Sequence, residues 1–199
     1  VVSPTKMNVL YLGVDNPISI YIPGVHPDNV TATLTGGTLT NDAKAGKGNY
    51  IAKVTGGKEA IVNVSAKFGE DATSRPLAAY RFRVKDVPTP VATIAGTQGG
   101  LVSPNRLAAA PTVIPKMENF DFEVFFKVTK FDLVYQVGTD LITKPVNGSK
   151  IPADAVAQIK RLKQGSRVYI ENIKTVMLDE NNRPAAGVTP KTLSPVSLK

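Results

Sequence analysis

Short runs in which apolar and polar residues strictly alternate are the feature that most constrains how this chain can fold. The clearest run, residues 78–85, reads AAYRFRVK. Successive side chains of a β-strand point to opposite faces, so Phe82 would lie in a core while Arg81 and Arg83 face solvent. A period of two residues is typical of strands and not of helices. The chain is therefore predicted to consist mainly of half-buried strands.

Turn signals separate similar runs throughout the first half. Alternation recurs in residues 18–22, 30–34 and 60–68, with segments rich in glycine, proline or asparagine between them. Residues 15–17 (Asp-Asn-Pro) form one such segment and are predicted to be a turn, in which the Asp and Asn side chains satisfy local backbone groups. About seven strands in roughly 85 residues is the size of an immunoglobulin-like sandwich. Residues 1–87 are predicted to form such a sandwich.

Two closely spaced prolines, Pro88 and Pro90, mark the predicted domain boundary. Proline cannot donate a ladder hydrogen bond, and it holds the chain extended. Residues 88–199 are therefore predicted to form a second domain. The glycine-rich segment 96–100 would suit a sharp bend or a close backbone approach, and residues 103–115 are predicted to be irregular.

The second domain is predicted to be β-rich with one short helix. Its longest alternating run covers residues 120–137 and changes phase near Lys130, which indicates a bulge or a tight reversal. The helix is predicted from Pro152 to about Lys163, with Pro152 in the first turn and Gly165 just past the end. The predicted fold class is thus mainly β, with two consecutive β-sandwich-like domains, the first immunoglobulin-like.

Few residues of this composition could carry catalysis. The chain has no cysteine and a single histidine, which removes disulfides, thiolate catalysis, Cys-based zinc sites and His-pair metal sites. His26 lacks an accompanying nucleophile motif and is interpreted as an ordinary loop residue. The segment 179–183 (DENNR) lacks the ligand register of a calcium loop. We expect no enzyme activity, no cofactor and no metal.

Basic residues outnumber acidic ones by 24 to 16, which gives a net charge of +8. Such an excess could favour an acidic protein, a nucleic acid or an anionic surface. It is spread along the chain, because 10 basic and 7 acidic residues up to position 87 give +3, and 14 and 9 beyond it give +5. The chain also has no tryptophan for base stacking. Nucleic-acid binding is therefore not predicted.

One local group of cations, the basic cluster, has two interpretations. It consists of Lys160, Arg161, Lys163 and Arg167. Cations at the end of the predicted helix would complement its dipole and would need no partner. The same residues would also suit contact with an acidic protein. They are the candidate partner-binding residues, and no catalytic or cofactor-binding residue is assigned.

Several stretches resemble a known family. They are residues 1–11 (VVSPTKMNVLY), 13–18 (GVDNPI), 87–90 (VPTP) and 95–100 (AGTQGG). These stretches resemble the C-terminal periplasmic region of the GldM/PorM family, the inner-membrane-anchored subunit of the type IX secretion and gliding motor. The resemblance implies that the chain comprises the last two periplasmic domains of such a protein.

The resemblance also implies a function for the chain, the transmission of force. It implies an N-terminal transmembrane helix, outside this chain, that joins a membrane partner of the GldL/PorL type in a proton-driven motor. A dimeric rod would then cross the periplasm and meet a ring of the GldK/GldN or PorK/PorN type at the outer membrane. We also expect a homodimer because pairing two chains would cover the exposed edge strands of isolated sandwiches.

Two other classes of function remain open on the sequence. A carbohydrate-binding or glycan-hydrolysing β-sandwich is the second hypothesis, since paired carboxylates lie far apart in a chain and spacing does not reveal them. The absence of tryptophan argues against it. A basic nucleic-acid binder is the third, and the spread of the charge argues against it.

Overall fold

The computed structural model describes residues 8–68, 73–163 and 165–198, which fall into two compact units. The first unit runs to Val87 and also contains Ala185–Val188. The second contains Pro88–Pro184 and continues from Thr189. The chain thus completes most of the first unit, builds most of the second, returns to the first for four residues and ends in the second. Within the described ranges, no helix has both the length and the apolar character needed to cross a bilayer.

The first unit is a sandwich of two sheets, as predicted. A four-stranded sheet has the order β1-β7-β6-β3 and a three-stranded sheet the order β2-β5-β4. All neighbours are antiparallel except β1 and β7. The described residues of this unit form seven strands: β1 Val9–Tyr11, β2 Asn16–Ser19, β3 Val30–Thr35, β4 Gly37–Asn41, β5 Asn49–Val54, β6 Glu59–Lys67 and β7 Ser74–Lys85.

Alternation along the strands builds the first core. In β6, Ala60, Val62 and Val64 are buried, and in β7 Phe82 is buried between exposed Arg81 and Arg83. Side chains from both sheets join in one cluster because each strand turns every second residue inward. This inward set is the one that the sequence predicts.

The second unit is built around one large sheet. Its strand order is β11-β10-β12-β13, with β14 also paired to β12, and β8 pairs with β9 in a separate ribbon. The glycines before α1 include a close backbone approach, because a Cβ on Gly99 would lie 3.1 Å from the Ser197 carbonyl oxygen. The elements are β8 Val91–Ile94, α1 Pro104–Ala109, β9 Val113–Lys116, β10 Phe125–Val137, β11 Asp140–Asn147, α2 Ala153–Ile159, β12 Val168–Leu178, β13 Lys191–Thr192 and β14 Val196–Leu198.

The predicted helix is present as α2, and it covers one face of the sheet. Its Ala155 and Ile159 are buried in one cluster with Leu133 of β10 and Ile170 of β12. The mainly β fold class is confirmed. The prediction of irregular structure in residues 103–115 is wrong, because this stretch contains α1 and β9.

Helix α1 begins with signals that are present in the sequence. The Ser103 hydroxyl accepts a hydrogen bond from the Arg106 amide at 3.2 Å, and Pro104 occupies the first turn. A side-chain oxygen before the helix and a proline at its start are the usual N-terminal features. With six residues the helix is too short to show an apolar period. Its buried residue Leu107 fixes it to the second core.

The phase change predicted near Lys130 is a register shift between β10 and β12. Val128 pairs with Thr175, whereas Lys130 pairs with Lys174, so β10 contains one extra residue here. A second irregularity follows on β12 around Asn172, whose φ is 51°. The strand itself begins at Phe125, later than the start of the alternating run. A bulge explains why the buried set moves from even to odd positions.

Candidate partner-binding surface

The basic cluster lies where α2 ends and the chain turns into β12. The helix ends at Ile159, earlier than the predicted Lys163. Hydrogen bonds that span three residues, not four, follow it. The Arg161 amide donates to the Gln158 carbonyl at 2.9 Å, and the Leu162 amide donates to the Ile159 carbonyl at 3.1 Å. Basic residues thus follow the helix and do not occupy its last regular turn. Lys160 is the C-cap residue and lies at the negative end of the helix dipole, whereas Lys163 and Arg167 lie farther along the chain.

All four members of the basic cluster are exposed. No carboxylate of the described residues forms an ion pair with any of them. Arg167 donates to the Tyr169 hydroxyl at 3.4 Å, and this hydrogen bond raises the pKa of its guanidinium. The cluster is therefore a patch of positive charge that the described part of the chain leaves uncompensated.

The acidic group on the same helix is already paired elsewhere. Asp154, in the first turn of α2, forms a hydrogen-bonded ion pair with Lys144 of β11. This hydrogen bond lowers the pKa of the Asp154 carboxyl. Charges on α2 are thus separated, with the paired carboxylate at its start and the unpaired cations after its end.

Two clefts flank the basic cluster. The larger, the α1–α2 groove, has a volume of about 660 Å³ and is lined mainly by apolar residues from the start of α1, the end of α2 and β14. The smaller has a volume of about 430 Å³ and includes Arg161 and residues of the β10–β11 turn. Leu162 and Lys163 line both clefts. The basic cluster therefore lies beside concave surface that can receive side chains of a partner.

The first unit has a cleft of its own, with different charges. It has a volume of about 540 Å³ beside β3, β4 and the following loop. Two of its lining residues, Asp28 and Lys47, form an ion pair at 2.5 Å, which lowers the pKa of the Asp28 carboxyl. His26 lies next to this pair, and its Nδ1 accepts a long hydrogen bond of 3.4 Å from the Asp28 amide. These contacts make His26 a capping residue of a loop and bring no nucleophile to it.

The acidic segment 179–183 closes a turn with its own backbone. Asp179 Oδ1 accepts from the amides of Asn181 and Arg183, at 2.9 Å each. The described part of the chain brings no three His, Asp or Glu side chains together in a possible metal-binding group. Local backbone groups therefore account for the position of Asp179.

Comparison with known families identifies both units. The family model for the GldM third domain matches residues 1–85. The family model for the GldM C-terminal domain matches residues 88–189. The chain belongs to the GldM family. No curated protein gives a significant sequence match.

Membership in the GldM family confirms the resemblance seen in residues 1–18 and 87–100. GldM proteins are structural and motor components of the type IX secretion and gliding machinery, and they act with protein partners there. The chain is accordingly part of such a subunit.

Sequence reasoning missed the apolar half of the candidate surface. Leu101 and Val102 lie between the glycine-rich segment 96–100 and the stretch predicted to be irregular, so the sequence assigned them no role, and Leu198 lies near the end of the chain. The capping signal at Ser103 could have revealed the helix, but no local pattern links it to α2. The basic cluster was identified because its members are close in sequence.

Proposed function

We propose that the chain is the outer-membrane-proximal part of a dimeric periplasmic stalk, in a motor subunit anchored in the inner membrane. Residues up to 87, completed by 185–188, act as the penultimate domain, and the rest acts as the terminal domain. Proton-driven motion at the inner membrane, generated with a partner of the GldL/PorL type, passes through the stalk. Protein contacts then deliver it to a ring of the GldK/GldN or PorK/PorN type.

The observation that carries this proposal is the order of the two matched domains. A GldM third domain followed directly by a GldM C-terminal domain corresponds to the end of the subunit that lies farthest from an N-terminal anchor. The exposed, unpaired basic cluster lies in the terminal domain and offers a contact for an acidic protein. Contacts with the ring are therefore assigned to this domain.

We propose a non-catalytic role in preference to a glycan-binding one. The described lining of the α1–α2 groove is mainly apolar and contains no aromatic side chain on which a sugar could stack. The first-unit cleft holds a carboxylate and an ammonium that are paired with each other. The described lining of that cleft includes Tyr50, but this residue is buried. Neither cleft therefore offers a sugar an exposed aromatic ring among its described residues.

Dimerisation is supported by the open edges of the sheets. Strand β11 is an edge strand of the large sheet, and it exposes 67% of Leu141. An edge strand with exposed apolar residues can pair with another chain. Multi-angle light scattering of the chain should give the mass of a dimer at micromolar concentration, and a monomer would contradict this part of the proposal.

The central experiment measures binding of purified ring proteins to the immobilised intact chain. We expect saturable binding that weakens as the salt concentration rises, because exposed charges are screened. The variant Arg161→Glu/Lys163→Glu should bind more weakly. Its matched control is Lys127→Glu/Lys130→Glu, which makes the same charge change at exposed positions of β10.

The use of the intact chain follows from the fold. A fragment ending at residue 87 would lack Ala185–Val188, which belong to the first unit. Failure of such a fragment to bind would not separate loss of a contact from loss of folding. Absence of binding by a folded, dimeric intact chain would contradict the proposed ring contact.

A further inference from the structure

The α1–α2 groove has an unusually exposed apolar residue at its entrance. Leu101 precedes α1 and is 85% exposed, although it lies beside buried Leu107 and Ile159. Leu162 and Val102 extend the same lining, and both are partly buried against the second core. The groove therefore presents apolar surface continuous with the core, and Leu101 extends that surface into solvent.

Charge in and around the groove has one sign. Lys163 is the charged residue in the described lining of the groove, and the adjoining smaller cleft adds Arg161. Neither cleft has an acidic residue in its described lining. Because these cations have no carboxylate partner among the described residues, their field is available to a ligand.

We propose that the α1–α2 groove binds a partner polypeptide segment in which a leucine-like side chain is flanked by Asp or Glu. The aliphatic side chain enters the groove against Leu101, Leu107 and Leu162, while the flanking carboxylates contact Lys163 and Arg161. This inference rests on the proposed function, and it names the chemistry by which the terminal domain recognises its protein partner.

Size and chemistry favour a polypeptide over a nucleic acid. A volume of about 660 Å³ lies within the range of about 300–1,000 Å³ that is typical of ligand sites, so apolar side chains fit. A nucleic acid would use stacking residues and a track of cations, whereas the lining that the structure describes is mainly apolar and has no aromatic residue. Residues that dominate binding are enriched in arginine and cluster where apolar contacts exclude water, so Arg161 beside an apolar groove suits a protein contact.

The test uses the intact chain and a synthetic peptide, Glu-Glu-Leu-Leu-Glu-Glu, followed by methyl and amide NMR. We expect shifts at Leu101, Leu107, Leu162 and Lys163. Exchanging the peptide leucines for alanine should remove the shifts at the groove, because the apolar contact is lost. Exchanging its glutamates for lysine should remove binding altogether, since the charges would then repel.

Four variants locate the site. Leu101→Ser and Lys163→Glu should each weaken peptide binding about tenfold, which corresponds to about 1.4 kcal/mol. Their matched controls are Ile114→Ser and Lys127→Glu, exposed positions of β9 and β10 that do not line the groove. The controls should bind the peptide as the unaltered chain does. Circular dichroism checks that all four remain folded.

Three results would overturn the inference. The first is the absence of groove shifts with the leucine peptide, and the second is equal weakening by the control variants. The third is tight binding of single-stranded DNA that depends on Lys163 and not on Leu101, because this would assign the surface to a polyanion.

The ring-protein assay separates the two proposals. Ring binding that survives both Leu101→Ser and Lys163→Glu contradicts the groove alone, whereas peptide binding without ring binding contradicts the proposed function alone.

Discussion

The side-chain oxygen of Asn16 accepts a hydrogen bond from the backbone amide of Tyr11 at 2.7 Å. Its amide nitrogen in turn donates to the carbonyls of Tyr11, Val14 and Ala52, at 2.9 to 3.1 Å. Asn16 is only 2% exposed, and its hydrogen bonds to the Val14 and Ala52 carbonyls are buried, so water does not replace them. One side chain thereby joins β1, the turn before β2, and β5.

Replacing Asn16 should therefore destabilise the first unit more than most surface changes do. We expect Asn16→Ala to lower its free energy of unfolding by about 3 kcal/mol, because buried groups that lose their partners cost about 1–3 kcal/mol each. Asn63→Ala, at an exposed position of β6, is the matched control and should change stability little. Urea denaturation followed by the NMR signals of first-unit amides measures both values. Equal stability of the two variants would contradict this account of Asn16.

Gly187 should tolerate no side chain. Its φ is 77°, and a Cβ there would collide with the Thr55 carbonyl within the first unit. Gly24 has the same φ of 77° with open space around it, so Gly24→Ala isolates the conformational cost, about 1–2 kcal/mol. We expect Gly187→Ala to cost clearly more than Gly24→Ala in the same denaturation experiment. If the two costs agreed, residues 185–188 would not be packed as the structure has them.

Asn172 should depend on its backbone conformation. Its φ of 51° lies in the left-handed region. Its side-chain amide nitrogen donates a hydrogen bond to the Asp132 carboxylate at 2.7 Å. Asn172→Ala should destabilise the second unit by about 1–2 kcal/mol, since alanine adopts this region poorly. Asn172→Gly loses the hydrogen bond but keeps the conformation, so it should cost less. If Asn172→Gly lost more stability than Asn172→Ala, the hydrogen bond and not the backbone conformation would be the reason that asparagine is needed here.

The pKa of Asp154 should depend on Lys144. Their hydrogen-bonded ion pair lowers the pKa of the Asp154 carboxyl below its ordinary value of 3.8. A lowered pKa in the folded state means that the pair stabilises the fold above pH 3.8, and that this contribution is lost as the pH falls through the lowered value. In Lys144→Met, carbon-detected NMR titration should give a higher pKa for Asp154. Asp28, still paired with Lys47, should keep its lowered pKa in the same spectra.

Local periodicity predicted most strands because it reports one-sided burial directly. Phe82 between two arginines, and the shift at Lys130, are visible in the sequence because each involves neighbours in the chain. Asn16 could not be distinguished from a turn residue, since a buried asparagine and an exposed one look alike beside Asp15 and Pro17. Its partner Ala52 is distant in sequence, and only the fold brings the two together.

The candidate surface was predictable in part for the same reason. The basic cluster lies within a few consecutive residues, so the sequence reveals it. The α1–α2 groove combines segments near Leu101, Ile159 and Leu198, and its existence depends on how the second sheet and its two helices pack. Charge could be assigned from the sequence, whereas concavity could not.

The return of Ala185–Val188 to the first unit has a consequence for the order of folding. Val188 packs against a core whose other members all lie before residue 88, so the entire second-unit segment Pro88–Pro184 must be present before that core is complete. During synthesis, the first sandwich would stay short of its final stability until these four residues have emerged. Closing so long a loop carries an entropic cost, which grows only slowly with the length of the loop. Folding of the second unit can lower this cost, because it holds Pro184 and Thr189 in place.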